Sequence, residues 1–368
     1  MAHDIEATHN SDFTITKFSS KSPIFICVAS YTQTSEIPGI TAAGANIDLI
    51  PYTPTADVEF LYYGHCRSIS GVPATPDGIP TPALITRASL MRSNIPFLVV
   101  NSGLKKIPEV PYISFNVKYG KNIRYQDGTD YFDFKKALEY GKTIGDNLSR
   151  SNGTVIIGET IPGGTTTALA VLKGIGIDAD FKVSSSMVEN PHDLKNRIVS
   201  DAIERANLCR SEEAIDKLAM IASLGDPMIP ASSGIAHGAI MGGAKVMLAG
   251  GTQMTAVLGV LKILGTPLDN ICIATTSYVL NDKSSDIKGL VDSIAANVPI
   301  LSIDLDFESS SIHGLNMYCH GIAKEGVGAG GAAIASILKD GANNNQFTLL
   351  KSIENEYEKT IAVKHLAT

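Results

Sequence analysis

The feature that most constrains the fold is a regular alternation of short β-branched runs with helix-length segments in the second half of the chain. The strand-like runs lie at 154–159, 245–251, 270–278 and 299–307. The segments between them, such as TTTALAVLKGIG and TQMTAVLGVLKIL, have the apolar spacing of buried helices. This order is typical of a mainly parallel sheet that is covered by helices on both faces.

The rest of the chain is less regular but adds compatible elements. Further strands are predicted at 23–30, 46–54, 95–103 and 178–185, and further helices at 130–153, 192–207, 211–224 and 284–296. We therefore predict an α/β fold in three α/β/α layers with a mainly parallel, Rossmann-like sheet. A smaller domain is expected from the chain termini.

Composition excludes several classes of protein. The chain has 368 residues, of which 44% are hydrophobic, so it can form a large core. Its net charge is -7, so it has no positive field that would attract nucleic acid. Five scattered cysteines fit free thiols in a reducing cytoplasm, and the first 21 residues contain no apolar signal region. Because His237, Lys245 and Gln253 interrupt the apolar stretch 228–264, we interpret it as buried core and not as a membrane span.

The first candidate site is the turn GETIPGGTTT (158–167), which joins a predicted strand to a predicted helix. Gly163 and Gly164 allow a ligand to approach the backbone, and the helix start with its threonine hydroxyls suits a phosphate group. Glu159 stands at the strand tip, where a carboxylate suits hydrogen bonding to a ligand. The Walker pattern is absent. A tight turn with a threonine cap remains the structural alternative.

Two further glycine-rich turns follow later strands. LAGGTQMT (248–255) repeats the strand, Gly250-Gly251 and helix order at the same predicted edge of the sheet. KEGVGAGGAA (324–333) places Glu325 before a literal G-x-G-x-x-G. A dinucleotide loop would need a preceding hydrophobic strand and an acidic residue about 20 positions later, and neither is present. The open alternatives are a helix cap and a carboxylate at a ligand-binding turn.

Other polar residues carry less information. His65 with Cys66, and His313 with Cys319 and His320, lack metal-ligand spacing, so no metal site is predicted. We interpret the remaining candidates as structural: His237 in the core, Asp226 in a turn, and Asp304 with Asp306 at a strand end.

Together, the first and third turns resemble those of the nicotinate-nucleotide:dimethylbenzimidazole phosphoribosyltransferase family, over about residues 150–340. The residues that match its G-E-L/M-G-I-G/A-N-T-T motif are Gly158, Glu159, Gly163, Thr165 and Thr166. Those that match its L-G-E-G-T/S-G-A motif are Glu325, Gly326, Gly328 and Ala329.

The chain also departs from the family pattern. Ile161 replaces a glycine, Gly164 an asparagine, and Lys324 a glycine, while Ala249 stands where a strand-end aspartate is usual. The family's L-x-x-K element resembles 194–197, which makes Arg197 the expected phosphate-binding cation. These departures resemble a divergent branch of the kind found in archaea and cyanobacteria.

The resemblance implies transfer of phosphoribose from nicotinate mononucleotide to a benzimidazole-like base, for the lower ligand of cobamides. Glu325 would be the general base. Ribose and phosphate would be held by Gly158, Glu159, Gly163, Gly164, Thr165, Thr166, Arg197, Gly250, Gly251, Gly326 and Gly328. No cofactor or metal is implied, and a cytoplasmic homodimer is expected. The alternatives are a non-catalytic nucleotide-binding protein and a nicotinamide-dependent oxidoreductase.

The same interpretation divides the chain into three parts. Residues 1–125 would be partly main sheet and partly small domain, 126–345 an α/β core with the nucleotide site, and 346–368 a C-terminal helical segment.

Overall fold

The computed structural model describes residues 4–8, 11–44, 46–69, 74, 78–208 and 216–362. Its strands are β1 (Ile5–Ala7), β2 (Pro23–Ala29), β3 (Phe97–Asn101), β4 (Ile113–Ser114), β5 (Thr154–Thr160), β6 (Lys245–Ala249), β7 (Ile271–Thr276) and β8 (Ile300–Ile303). They form one eight-stranded sheet in the order β1-β8-β7-β6-β5-β2-β3-β4. Every neighbouring pair is parallel except β1 with β8, so the predicted mainly parallel sheet is confirmed.

Helices cover both faces of this sheet. They are α1 (Ser11–Phe18), α2 (Thr53–Tyr63), α3 (Ala83–Arg92), α4 (Tyr131–Ser149), α5 (Gly164–Gly174), α6 (His192–Leu208), α7 (Lys217–Leu224), α8 (Met228–Met241), α9 (Gln253–Ile263), α10 (Ser277–Leu280), α11 (Ile287–Ala295), α12 (His313–Asn316), α13 (Ala329–Asp340) and α14 (Gln346–Tyr357). Shorter 3₁₀ turns lie at Gln33–Glu36, Ile50–Tyr52, Phe307–Ser309, Met317–His320 and Gly341–Asn343, and a π-helical turn at Glu358–Ala362.

The order of the strands creates a switch point between β2 and β5. From β2 the chain adds β3 and β4 on one side, then returns to place β5, β6, β7 and β8 on the other. Connections that leave a parallel sheet in opposite directions open a crevice at the carboxyl ends of the strands. The fold therefore predicts a ligand site beside the end of β5.

Alternate residues of each central strand enter different cores. In β2, Ile24, Ile26 and Val28 pack into one hydrophobic cluster, whereas Phe25 and Cys27 pack into the other. Burial on both faces explains why the strand reads as a continuous apolar run. The apolar stretch 228–264 forms α8, β6 and α9, and no helix in the described ranges is long and apolar enough to cross a membrane.

Helices α4 and α8 pack against each other with almost no space between their backbones. A Cβ atom on Gly145 would lie 2.1 Å from the carbonyl oxygen of Ile235, and one on Gly238 would lie 2.0 Å from that of Lys142. Glycine is required at such contacts because real Cβ atoms do not approach so closely. The close packing holds α8 beneath the strands that lead to the crevice.

The strand predicted at 46–54 is wrong. This segment forms a 3₁₀ turn at Ile50–Tyr52 and the first residues of α2. Pro51 and Pro54 occupy first-turn positions, where proline's fixed φ and missing N–H favour a helix start. The apolar run is thus a helix entrance and not a buried strand.

The strand predicted at 178–185 is also wrong. Its backbone forms hydrogen bonds with side chains and not with a neighbouring strand. Ser184 N–H donates to Thr252 Oγ1 (3.0 Å), and Asn190 Nδ2 donates to the Val183 carbonyl (2.8 Å). Phe181 has a positive φ of 61°, which breaks an extended strand. The predicted helices at 130–153, 192–207 and 284–296 are present as α4, α6 and α11, while 211–215 lies outside the described residues.

Candidate active site

A cavity of about 460 Å³ opens at the carboxyl ends of β5 and β6, at the predicted crevice. The segments that line it are 40–44, 79–82, 159–165, 184–186 and 322–327, together with Leu49, Thr53, Ala56, Asp57, Ile69, Ala74, Gly251, Gln253 and Val279. Its size and its mixture of apolar walls with a few polar groups fit a small-molecule site.

One end of the cavity is bordered by the start of α5. Gly163 caps this helix in a left-handed conformation, and Gly163, Gly164 and Thr165 all line the cavity. A helix start offers unpaired N–H groups and a partial positive charge, which suit a phosphate. A Cβ atom on Gly164 would lie 2.8 Å from Ile161 Cγ2, so these two departures from the family motif fit each other in space.

Glu325 lies in the turn before α13 and also lines the cavity. Its carboxylate accepts backbone hydrogen bonds from Thr276 (3.1 Å) and Gly330 (3.1 Å). The capping role and the ligand-facing role therefore coexist. Burial raises the pKa of Glu325 to about 7, against the opposing effect of these N–H donors, so the carboxyl group can exchange a proton near neutral pH.

The glycines after Glu325 let α13 lie directly on the sheet. A Cβ atom on Gly330 would lie 2.2 Å from the Thr275 carbonyl carbon, and one on Gly331 would lie 2.3 Å from Ala249 Cβ. The segment follows the 3₁₀ turn Met317–His320 and not a strand. The G-x-G-x-x-G pattern is therefore a packing motif here, without the strand that a dinucleotide loop requires.

The first and third glycine-rich turns meet in space. Val327 N–H donates to the Glu159 carbonyl (2.9 Å), and its own carbonyl accepts from Thr86 Oγ1 (2.9 Å). These contacts hold Val327 at φ 53°, a left-handed conformation that β-branched residues rarely adopt. Behind them, Gly158 packs against Gly328 so closely that a Cβ on Gly158 would lie 3.0 Å from Gly328 Cα.

Glu159 is almost completely buried at the end of β5. Burial, together with the nearby carboxyl groups of Asp226, Glu325 and Asp57, raises its pKa to about 8. Glu159 is therefore mainly protonated at neutral pH and can donate a hydrogen bond. Within the described chain, no three His, Cys, Asp or Glu side chains are arranged as metal ligands.

Asp57 is a cavity residue that the sequence did not reveal. It lies on α2, is 4% exposed, and accepts hydrogen bonds from Thr81 Oγ1 (2.7 Å) and Thr160 Oγ1 (2.7 Å). Burial raises its pKa to about 6, and the two hydroxyl groups oppose that rise. The same helical run also contains Glu59 and two threonines, so the sequence offered no signal that sets Asp57 apart.

The structure does not bring Arg197 to the cavity. Arg197 lies on the exposed side of α6, in a separate depression with Phe181 and Ser200. Lys324 lines the cavity instead, and its Nζ pairs with Asp282 Oδ2 at 2.5 Å. The cation expected from the L-x-x-K resemblance thus lies on the exposed face of its helix, apart from the cavity.

Lys195, on the inner side of α6, is close to this pair. Its Nζ donates to the Ser184 carbonyl (2.7 Å) and to Asn190 Oδ1 (3.0 Å). Burial, together with the positive charge of Lys324, lowers the pKa of Lys195 to about 7. The serines at 184–186, the first two of which the sequence analysis placed in a strand, border the cavity beside these lysines.

The predicted site residues divide into three groups. Those that line the cavity are Glu159, Gly163, Gly164, Thr165, Gly251, Glu325 and Gly326. Gly158, Thr166, Gly250 and Gly328 lie next to lining residues without being among them, and Arg197 lies apart. The buried Thr166 hydroxyl has no hydrogen-bond partner among the described residues.

Comparison with known proteins identifies the class. A phosphoribosyltransferase family model, DBI_PRT, matches residues 91–279. A UPF0284 protein of Archaeoglobus fulgidus is 43% identical over 337 residues, covering 92% of this chain and 94% of the relative. A UPF0284 protein of Sulfurisphaera tokodaii is 44% identical over 351 residues, covering 95% and 96% of the two chains.

The chain therefore belongs to the DBI_PRT phosphoribosyltransferase family, together with these UPF0284 proteins. Phosphoribosyltransferases are glycosyltransferases that transfer a pentosyl group, so the predicted enzyme class is confirmed.

Solved structures share the fold. The nicotinate-nucleotide-dimethylbenzimidazole phosphoribosyltransferase of Thermus thermophilus superposes with a TM-score of 0.60 at 15% identity, over 91% of this chain and 83% of that one. CobT from the same organism superposes with a TM-score of 0.58 at 14% identity, over 91% of this chain and 84% of that one. The three-layer α/β prediction is confirmed by this likeness.

Proposed function

We propose that the enzyme transfers phosphoribose from nicotinate mononucleotide to a benzimidazole-like base. One ring nitrogen of the acceptor attacks C1′ as the bond from C1′ to the pyridinium nitrogen breaks, and the bonding electron pair leaves with nicotinate. The proton on the acceptor's other ring nitrogen passes to Glu325. The product is an α-ribazole-type phosphate, suited to the lower ligand of a cobamide.

The observation that carries this proposal is that Glu325 and the start of α5 line one cavity. A phosphoribosyl transfer needs a group that holds the phosphate and a proton acceptor beside the attacking base, which enters C1′ on the side opposite the departing nicotinate. Fixing the phosphate orients the sugar for attack, and positioning of this kind supplies roughly 7 to 11 kcal/mol of a barrier.

Two groups on the cavity wall can donate hydrogen bonds to a phosphate. The start of α5 contributes backbone N–H groups from the turn at Gly163, Gly164 and Thr165. Lys324 contributes a buried ammonium group that its partner Asp282 already holds in place. In this proposal Lys324 takes the role that the sequence resemblance assigned to Arg197.

The chemistry of Glu325 suits a general base. Its pKa of about 7 keeps a large part of the carboxyl group ionised at neutral pH, while its basicity remains higher than that of an exposed glutamate. The N–H donors from Thr276 and Gly330 orient the carboxylate without supplying a neighbouring cation. A base held in this way can accept the acceptor's proton at hydrogen-bond distance.

The decisive experiment is product analysis with the full chain. Nicotinate mononucleotide is incubated with benzimidazole, and both free nicotinate and the ribosylated base are measured. Equal amounts of the two products are expected. Binding of nicotinate mononucleotide without release of nicotinate, on benzimidazoles and purines alike, would overturn the transferase assignment and identify a non-catalytic nucleotide-binding protein.

The family resemblance also predicts a homodimer that acts in the cytoplasm. Light scattering on the purified chain measures the mass of the particle in solution, and a particle of one chain would contradict the dimer.

A further inference from the structure

Asp57 is the buried carboxylate of the cavity that the proposed reaction leaves without a task. It reaches the cavity on one face of α2, together with Thr53 and Ala56, which are spaced as neighbours on a helix. Thr81 and Thr160 each donate to a different oxygen of its carboxylate. The group is therefore fixed in orientation by two separate segments.

The surroundings of Asp57 make an idle carboxylate costly. Its neighbours in the cavity wall are mostly apolar, including Ala56, Ile79, Pro80 and Pro82. Among the described residues, no lysine, arginine or histidine forms an ion pair with it. A charge that is buried without a cation destabilises a fold, and such a charge is retained where a ligand uses it.

The segment that holds Asp57 contacts the turn that carries Glu325. The segment 79–82, which holds Asp57 through Thr81, touches the Glu325 turn, because a Cβ on Gly326 would lie 3.3 Å from Pro82 Cγ. Tyr318, whose hydroxyl bonds the Pro80 carbonyl (2.9 Å), has its pKa raised by burial and by the charges of both Glu325 and Asp57. A base whose ring N–H meets Glu325 would therefore extend along the wall that contains Asp57.

We propose that Asp57 binds the acceptor and selects bases that carry a hydrogen-bond donor, such as a hydroxyl or amino group, on the ring remote from the attacking nitrogen. This inference rests on the proposed transfer to a benzimidazole-like base and adds the class of acceptor. A base with a hydrogen-bond donor facing this carboxylate should bind more tightly than one with a methyl group of the same size. The methyl group would leave the carboxylate desolvated and without a hydrogen-bond partner from the ligand.

The test uses benzimidazoles that differ at one position. Bases with a 5-hydroxyl, 5-amino or 5-methyl group have nearly the same shape, so differences between them report hydrogen bonding. Their binding to the full chain is measured by calorimetry with nicotinate mononucleotide present, and kcat/KM is measured by nicotinate release. The wild type is expected to favour the hydroxyl and amino bases over the methyl base by about tenfold or more.

Substitution of Asp57 should remove this preference. Asp57→Ala and Asp57→Asn are both examined, and their thermal unfolding is checked so that loss of folding is recognised. Asp226→Asn is the matched control, because Asp226 is another buried carboxyl group near Glu159 but does not line the cavity. The ratio between hydroxyl and methyl bases should approach one in a folded Asp57 variant and stay unchanged in Asp226→Asn.

Each adverse outcome has its own meaning. Equal binding of the three bases by the wild type, or an unchanged ratio in folded Asp57 variants, overturns the acceptor role. So does a loss of affinity confined to nicotinate mononucleotide, which would place Asp57 at the ribose. If the wild type shows the preference in binding but releases no nicotinate, the transferase proposal fails while the role of Asp57 stands.

Discussion

The backbone N–H of Val327 donates a hydrogen bond of 2.9 Å to the carbonyl oxygen of Glu159. This bond ties the turn that carries Glu325 to the strand end that leads into α5. It joins parts of the chain that are far apart in sequence. As a result, the candidate proton acceptor Glu325 and the candidate phosphate-binding turn at 163–165 line one cavity. The predictions below follow from that arrangement.

Glu325→Gln should fold normally and lose transferase activity. Glutamine preserves the shape of the side chain and can still accept from the N–H groups of Thr276 and Gly330, but it cannot take a proton. A loss of a positioned general base lowers kcat by about 10²- to 10⁴-fold. Nicotinate release is measured beside the surface control Glu308→Gln. Wild-type turnover in Glu325→Gln would refute the base assignment.

The activity should depend on pH in the direction set by Glu325. Its pKa lies near 7, and the ionised form is the active one, so kcat/KM should fall about tenfold per pH unit below that point and level off above it. The pH profile of Glu159→Gln shows which of the two glutamates is responsible. The fall of kcat/KM at low pH should remain in this variant, because Glu159 can no longer titrate. A flat profile in the wild type across roughly two pH units on either side of neutrality would contradict the prediction.

Lys324, and not Arg197, should support phosphate binding. Lys324→Met alone leaves Asp282 buried without its partner, so the double variant Lys324→Met/Asp282→Asn is the fairer test. A charged hydrogen bond contributes about 1.5 to 3 kcal/mol, so affinity for nicotinate mononucleotide should fall by about 10- to 100-fold. Calorimetry on Arg197→Met should give the wild-type affinity, and the reverse pattern would restore the original assignment.

Gly145→Ala should destabilise the protein without touching the cavity. The new methyl group would meet the Ile235 carbonyl of α8 at 2.1 Å, so the helices must separate. Overpacking of this kind destabilises a core by about 1 to 3 kcal/mol. Thr143→Ala, on the exposed side of the same helix, is the control. Urea unfolding compares the two, and an unchanged midpoint for Gly145→Ala would mean that the contact relaxes freely.

Local patterns were sufficient to predict much of the fold and part of the site. The strands at 154–159 and 245–251 and the helices after them follow from residue spacing, and their glycine-rich ends lie at one edge because the strands are parallel. The prediction of a strand at 46–54 was wrong because apolar content alone does not distinguish a strand from a helix that begins at a proline.

The rest of the site depends on contacts that a sequence does not display. Lys195 and Arg197 are two residues apart on α6, so they point to different sides of the helix, and only the packed structure shows that Lys195 is the inner one. Asp57 and the serines at 184–186 reach the cavity through long-range packing of segments that have no motif of their own. Their spacing carries no local signal.

Helix α13 rests on β6 and β7 through Gly330 and Gly331, which bring its backbone against the Thr275 backbone and the Ala249 methyl group. These contacts leave no space for larger side chains, so the part of the cavity wall that carries Glu325 is expected to stay unchanged while relatives diverge. Adaptation to a new acceptor would then fall on other segments that line the cavity, such as 40–44 and 79–82. Grafting those two loops between relatives is therefore the rational route to exchange their acceptor range.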